Sequence, residues 1–431
     1  MHTVGACLIF VVTYALMLSD RVHKTVAALL GGCAMIVCHV VTQEEAFAAV
    51  DLNVVFLLAG MMIIVHFLAE SGFFGYAAIR LAQVARGRPV PLLLLLCAVT
   101  AGLSALVDNV TTVLLIAPVT FLITEQLEVS PVPYVLFEAL ASNVGGTATL
   151  VGDPPNILIG SAAKLSFNDF LFNLFPITLV CLGALLLIAL FVIRKQAYVS
   201  SDIRAKIMEM RPSRAITDRT LLKKTGVVLA LVFLGLLLHG PLGLEPAIVA
   251  LTGAAVLLVL TKAEPAKAFS AVEWPTLFFF VGLFMVVEGL RSTGLLDSCA
   301  MYLLSLTGND LFLTAMVILW LSAVASALIG AVPLVTTLIP VVHNVVPVLA
   351  GAAALPEATV HHALWWSLAL GACLGGNGSM FGTAASIVVV EIARANRREV
   401  GFRQFMYYGV PVTLVSLAIS TLYVMFRYIP R

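Results

Sequence analysis

Two aspartates interrupt apolar stretches of the chain: Asp108, in Val107-Asp108-Asn109-Val110-Thr111-Thr112, and Asp153, in Gly152-Asp153-Pro154-Pro155-Asn156. An ionisable group deep in apolar surroundings is costly and most often serves as a proton or ion relay. Asp108 and Asp153 are therefore the candidate proton-coupling groups, although either could instead cap a half-helix N-terminus. Around them Asn109, Thr111, Thr112, Asn143, Gly146, Thr147 and Asn156 offer amide, hydroxyl and backbone groups to a small polar substrate, and Asn377, Gly378 and Ser379 repeat that chemistry further along. Each of these side chains can equally satisfy freed backbone groups. A carboxylate in such a site repels a polycarboxylate and suits a neutral hydroxide, whose hydroxyls donate to it.

The elements that hold these residues must lie in a membrane. Of 431 residues, 24 Lys+Arg and 23 Asp+Glu carry charge, which is 11%, while 61% are apolar. Soluble domains carry roughly 25% charged residues, so a cytosolic enzyme is excluded. A net charge of +1 gives no basic field for nucleic acid. The seven cysteines are odd in number and lack CxxC spacing, so neither a disulfide framework nor a metal site is expected. No GxxxxGK[ST] loop or HExxH motif occurs, so no cofactor or enzymatic chemistry is expected, and energy must come from an ion gradient or a separate soluble ATPase.

Charge-free runs over residues 25–43, 52–69, 89–107, 170–193, 225–244 and 404–426 are long enough to span a bilayer, and two longer runs, 311–356 and 358–390, hold more than one helix or a broken one. Residues 4–19 read as a further span. Basic residues cluster at Arg21 and Lys24, at Arg80, Arg86 and Arg88, over residues 194–224, and at Arg394, Arg397, Arg398 and Arg403, which places these segments in the cytoplasm and Glu44 and Glu45 outside. Parity then makes residues 91–124 a re-entrant hairpin with its tip at Asp108-Asn109 and short arms of about 16 and 13 residues.

Sliding the chain on itself by 222 residues pairs Ala46-Phe47-Ala48-Ala49-Val50-Asp51 with Ala268-Phe269-Ser270-Ala271-Val272-Glu273, Gly72 with Gly294, and Pro118 with Pro340. An offset of 230 pairs Gly145-Gly146 with Gly375-Gly376 and Gly152 with Gly382. The expected fold is an all-α polytopic membrane protein of two inverted repeats, each with five transmembrane helices and a re-entrant hairpin, and with broken helices at the midplane. Residues 1–195 form the first repeat (hairpin 91–124, broken helix 134–163), 196–224 the cytoplasmic linker, and 225–431 the second repeat (hairpin 311–347, broken helix 361–393). His66 and Glu288 fall at matching positions, Cys373 sits beside the second break as an apolar filler, and His361-His362 are expected in an outer loop.

The strings LVDNVTTVLLIAP (106–118) and SNVGGTATLVGDPPNILIGS (142–161), with their repeat partners, resemble the ion transporter superfamily. Within it they resemble the arsenite efflux pump branch, which also includes silicon exporters, the pigmentation P protein and sodium/proton antiporters. The resemblance spans nearly the whole chain, and GGTATLVGDPPN is far more specific for the superfamily than for a substrate. It implies a scaffold part and a moving transport part, with hairpin tips and broken helices cradling the substrate. In the dicarboxylate carriers of the superfamily both tips carry a Ser-Asn-Thr type signature. Here they read Asp108-Asn109 and Gly330-Ala331, which points away from a citrate-like carrier. The function implied is export of arsenite, with antimonite, across the inner (plasma) membrane in exchange for protons. A sodium/proton antiporter, a silicic-acid exporter and a membrane subunit driven by a soluble ATPase remain the alternatives.

Overall fold

The computed structural model describes residues 2–19, 21–194 and 199–430. Helices account for most of them. The first half runs α1 (His2–Leu18), α2 (Lys24–Val37), α3 (Gln43–Ala48), α4 (Leu52–Glu70), α5 (Phe73–Val84), α6 (Pro89–Ser104), α7 (Asn109–Gln126), α8 (Val132–Gly146), α9 (Pro154–Ala163), α10 (Phe167–Asn173) and α11 (Phe175–Ile193). After α12 (Ser201–Glu209) the second half runs α13 (Arg219–Leu242), α14 (Pro246–Thr261), α15 (Pro265–Ser270), α16 (Trp274–Arg291), α17 (Leu295–Thr307), α18 (Leu311–Ile329), α19 (Ala331–Ala353), α20 (Glu357–Gly375), α21 (Ala384–Ala395) and α22 (Phe402–Arg427). Eight of these helices are long and apolar enough to cross a bilayer, and five shorter apolar helices accompany them. Part of the expected linker, residues 195–198, lies outside the described residues.

Helix starts follow local chemistry. Asp51 accepts the Asn53 amide at 3.0 Å to cap α4, Thr42 and Glu45 form a capping box on α3, and proline opens α6, α9, α14 and α16. α2 packs against α16 and α4 against α14, while α6 lies on α8 and α18 on α20. The exchange continues with α7 on α21 and α9 on α19. Glycine sets two of the closest crossings: a Cβ at Gly60 would lie 2.8 Å from the Ala250 backbone, and one at Gly282 would lie 2.5 Å from that of Ala28. α8 is central, with every residue from Val132 to Gly146 buried, and Trp365 and Trp366 of α20 share that core. By contrast α11 turns Leu179, Val180, Leu187 and Phe191 outward, as a lipid-facing helix does.

Two expectations need correcting. The second arm of the first hairpin is not short. α7 has 18 residues and continues to Gln126, because Pro118 is accommodated inside it and Glu125 fits its last turn. In the second hairpin α18 has 19 residues within the expected 311–347, while α19 has 23 and runs past that bound to Ala353. His361 and His362 are not in a loop but in the first turns of α20, where the Trp366 indole N–H donates to His362 Nδ1 at 3.2 Å.

Candidate functional site

α8 stops at Gly146 and the chain resumes as α9 at Pro154; α20 stops at Gly375 and, after a short 3₁₀ turn (Gly376–Gly378), resumes as α21 at Ala384. Each hairpin tip is fastened to the break of its own half. Ser142 Oγ donates to the Asn109 carbonyl at 2.9 Å and Thr149 Oγ1 to the Ala105 carbonyl at 2.6 Å. In the second half Ser326 Oγ donates to the Ala372 carbonyl at 2.6 Å, Ser379 Oγ donates to that of Ala327, and the Ala331 amide to that of Gly382 at 3.3 Å. The two breaks are then joined across the core. Asn143 Nδ2 donates to the Cys373 carbonyl at 2.7 Å, Asn377 Nδ2 to the Leu140 carbonyl at 3.2 Å, and the Cys373 thiol reaches Asn156 Oδ1 at 3.4 Å.

At the centre Asn109 donates to Asp153 Oδ1 at 3.1 Å and to Asn143 Oδ1 at 3.3 Å. The other Asp153 oxygen is buried with no partner among the described residues. Asp108 caps α7, accepting the Thr111 amide at 2.9 Å. Asp108, Asn109 and Asp153 form part of the wall of a cavity of about 490 Å³, which Lys24 also lines. A buried, unmatched acceptor beside an amide donor can take a proton, a small cation or a hydroxyl donor.

The remaining expected site residues are placed otherwise. Asn156 donates to the carbonyls of Thr147 and Thr149 at 3.1 and 2.9 Å, with a longer contact to Gly146 at 3.4 Å, so it satisfies the end of α8 where the helix breaks. Thr112 and Thr147 turn their hydroxyls onto the carbonyls four residues earlier, at 2.9 and 2.8 Å. Thr111 serves Asp108 through its backbone, and Gly146 lies against the Gly152 carbonyl. Gly378 approaches Ala327 and Ser379 binds the same residue's carbonyl, while Asn377 keeps a buried Oδ1 without a partner among the described residues. None of these eight, nor Asn143, lines the cavity.

The cavity gathers four charged or titratable residues that sequence reasoning missed: His23, Lys24, Glu273 and Glu391. Glu273, just before the span that begins at Trp274, is held above the usual carboxylate range by burial, and the charge of Asp108 adds to this. The one available signal was the pairing of Glu273 with Asp51; Glu391 simply ended an apolar run. A further buried carboxyl, Glu138 on α8, accepts the Thr120 hydroxyl at 2.7 Å away from the cavity. Among the described residues no group of three or more His, Cys, Asp or Glu side chains could hold a metal ion.

Comparison with known proteins gives the fold and the class. Over 97% of each chain the structure is similar to the YdaH transporter of Alcanivorax borkumensis, with a TM-score of 0.61 at 17% identity. The sequence is 42% identical over 431 residues to a 46 kDa membrane protein of Mycobacterium leprae and 43% identical over 434 residues to an uncharacterized transporter of Mycobacterium tuberculosis, covering 99% of this chain and of each relative. It is 30% identical to the P protein of Sus scrofa, covering 98% of this chain and 59% of that protein. Residues 14–371 match the family described as citrate transporter, so the chain belongs to the CitMHS citrate transporter family and is a multi-pass membrane transporter.

Proposed function

We propose that the protein exports arsenite, and antimonite with it, in exchange for protons, and that its halves, 1–195 and 225–431, are inverted repeats joined by a cytoplasmic linker. The reciprocal packing of α2 on α16 and α4 on α14 supports the repeat, since each pair exchanges equivalent helices. One observation carries the substrate reading: the unpartnered Asp153 oxygen and the Asn109 amide sit at a cavity wall that also holds Asp108. As(OH)₃ is neutral, and its hydroxyls can donate to the carboxylate oxygens of Asp153 and Asp108, while the Asn109 amide, committed to Asp153 Oδ1 and Asn143 Oδ1, holds Asp153 in place. Proton release from the same carboxyls on the other side of the membrane would couple the gradient to export.

The family's description names citrate. Four carboxylates and a single lysine line this cavity, so a free tricarboxylate would meet net repulsion there. A second reading rests on the same unpartnered oxygen. Asp108 and Asp153 would bind sodium, and the protein would be a sodium/proton antiporter. Silicic acid, another neutral hydroxide, fits the first chemistry and is a competitor to be tested.

Purified protein in liposomes, with a pH gradient acid inside and no ATP, should accumulate arsenite from the medium. Silicic acid in excess should compete weakly, and sodium should have no effect. No arsenite uptake under that gradient, or uptake only when a soluble ATPase and ATP are supplied, would refute the proposal.

A further inference from the structure

The two sides of the transport core use equivalent positions to different effect. Asp51 immediately precedes α4, and Ser161 is the eighth residue of α9; the Ser161 hydroxyl donates to Asp51 Oδ2 and ties the two helices together. On the other side Glu273 immediately precedes α16, and Glu391 is the eighth residue of α21. These two line the open cavity, and no hydrogen bond or ion pair between them occurs among the described residues. Two helices packed at one side thus have counterparts that stand apart at the other.

From this correspondence we infer that Glu273 and Glu391 form the inner gate of the transporter, which closes only when the pair holds one proton between its two carboxyl groups. The inference rests on the inverted-repeat reading above. Alternating access in such a repeat exchanges the arrangements of the two halves. Closing the inner side would therefore bring Glu391 to Glu273 as Ser161 now meets Asp51. A serine hydroxyl donates and a carboxylate accepts, so the outer seal needs nothing further. Two carboxylates are both acceptors and repel, so theirs needs one O–H. That proton is taken from the inner solution on closing, is held as one carboxyl O–H donating to the other carboxylate, and returns to the inner solution on opening.

The neighbouring charges do not remove this need. The titratable groups that share the cavity wall with the pair are His23 and Lys24 at the start of α2, Asp108 before α7 and Asp153 before α9; Arg394, one turn beyond Glu391, lies off that wall. α4 contributes Leu58 and Met62, and α19 contributes Ala331, Val332 and Pro333, none of which titrates. Lys24 is the single Lys or Arg on the cavity wall and can match one of the two carboxylates, which leaves the second unmatched. Asp108 and Asp153 only add negative charge. Burial of Glu273 beside Asp108 acts in the same direction, favouring its neutral form.

The test reads the gate without any transport substrate. Cys7, Cys33, Cys38 and Cys299 are replaced by serine, and a single reporter, Ile387→Cys, is placed on the cavity wall. Inside-out vesicles are labelled with a membrane-impermeant maleimide from pH 8 to pH 6, and each rate is divided by that of an exposed linker reporter, Ser201→Cys, to remove the thiol's own titration. The ratio should fall by up to about tenfold per pH unit where the pair titrates, the slope of a one-proton linkage. In Glu391→Ser, which copies the outer pair, and in Glu391→Gln the ratio should be low and flat. A flat wild-type ratio, or a Glu391→Ser ratio that keeps the wild-type slope, would overturn the gate. Labelling of Ser201→Cys only in right-side-out vesicles would overturn the inverted orientation and the gate with it.

Discussion

On the Glu45 side of the molecule Asp51 holds Ser161 and Asn53 donates to Glu245 at 2.9 Å, so α4 is pinned to α9 and to the start of α14. On the Lys24 side Glu273 and Glu391 occupy the matching positions, His23 stands where Glu245 stands opposite, and a cavity of about 490 Å³ separates them. The backbone plan is the same on both sides and the side chains are not. On the proposed inverted repeat, the chain supplies two alternative packings, and a few polar residues on α4, α9, α16 and α21 decide which is sealed. The hairpin tips differ in the same way: Asp108 in the first corresponds to Gly330 in the second, which has no side chain and a φ of +89°.

The tip difference yields the largest expected effect. Asp108→Asn preserves shape and hydrogen bonding and removes titration, so it should exchange arsenite down a gradient yet lose all uphill, pH-driven accumulation. Asp153→Asn is the companion variant, because its oxygen is the unpartnered one. If Asp108→Asn accumulates arsenite with the wild-type pH response, coupling moves to Asp153 and the contrast between the tips carries no function.

Next is a deliberate break of the contrast between the two sides. Ser161→Glu puts two acceptors at the outer seal, so exchange should become sensitive to outer pH, changing by up to about tenfold per unit over the titration range. A variant whose exchange ignores outer pH would show that the seal is not set by donor and acceptor count.

Smaller effects test the part of the plan that is shared. A Cβ at Gly145 would run into the backbone of Ala101, and one at Gly375 into that of Ala323. Gly145→Ala and Gly375→Ala should each destabilise the protein by about 1–3 kcal/mol, read as similar losses in Tm in detergent. Unequal losses would break the equivalence of the two crossings. The smallest effect is expected at Cys373, whose thiol donates to Asn156 Oδ1 beside Asp153 and whose carbonyl serves Asn143. Cys373→Ser should keep arsenite export within about twofold at matched expression, since a serine hydroxyl can make a hydrogen bond of similar worth. Loss of export would mean that trivalent arsenic binds the thiol.

Much of this arrangement was legible in the chain. Gly145-Gly146, Pro154-Pro155 and Gly375-Gly376 mark both breaks because glycine permits close approach and proline removes amide donors, and Asp108 marks the first tip by its charge alone. What sequence could not supply was direction. Thr112, Thr147 and Asn156 have the right chemistry for a ligand, and the fold turns them onto freed backbone carbonyls instead. Glu273 precedes α16 and Glu391 is the eighth residue of α21, at the borders of separate apolar runs, so only the packing of α16 and α21 around one cavity puts both on its wall. The arm lengths were misjudged because charge was taken as the boundary, whereas Glu125 lies within the last turn of α7.

Exchange of arsenite for protons is read by the proton movement that the substrate drives. Liposomes containing the purified protein are loaded with arsenite and a trapped pH dye, then diluted into arsenite-free medium at equal pH with the membrane potential clamped. Arsenite leaving the lumen should draw protons in, acidifying it in the wild type and not in Asp108→Asn. Arsenite efflux with no change in lumenal pH, or no protein-dependent efflux at all, would contradict the exchange.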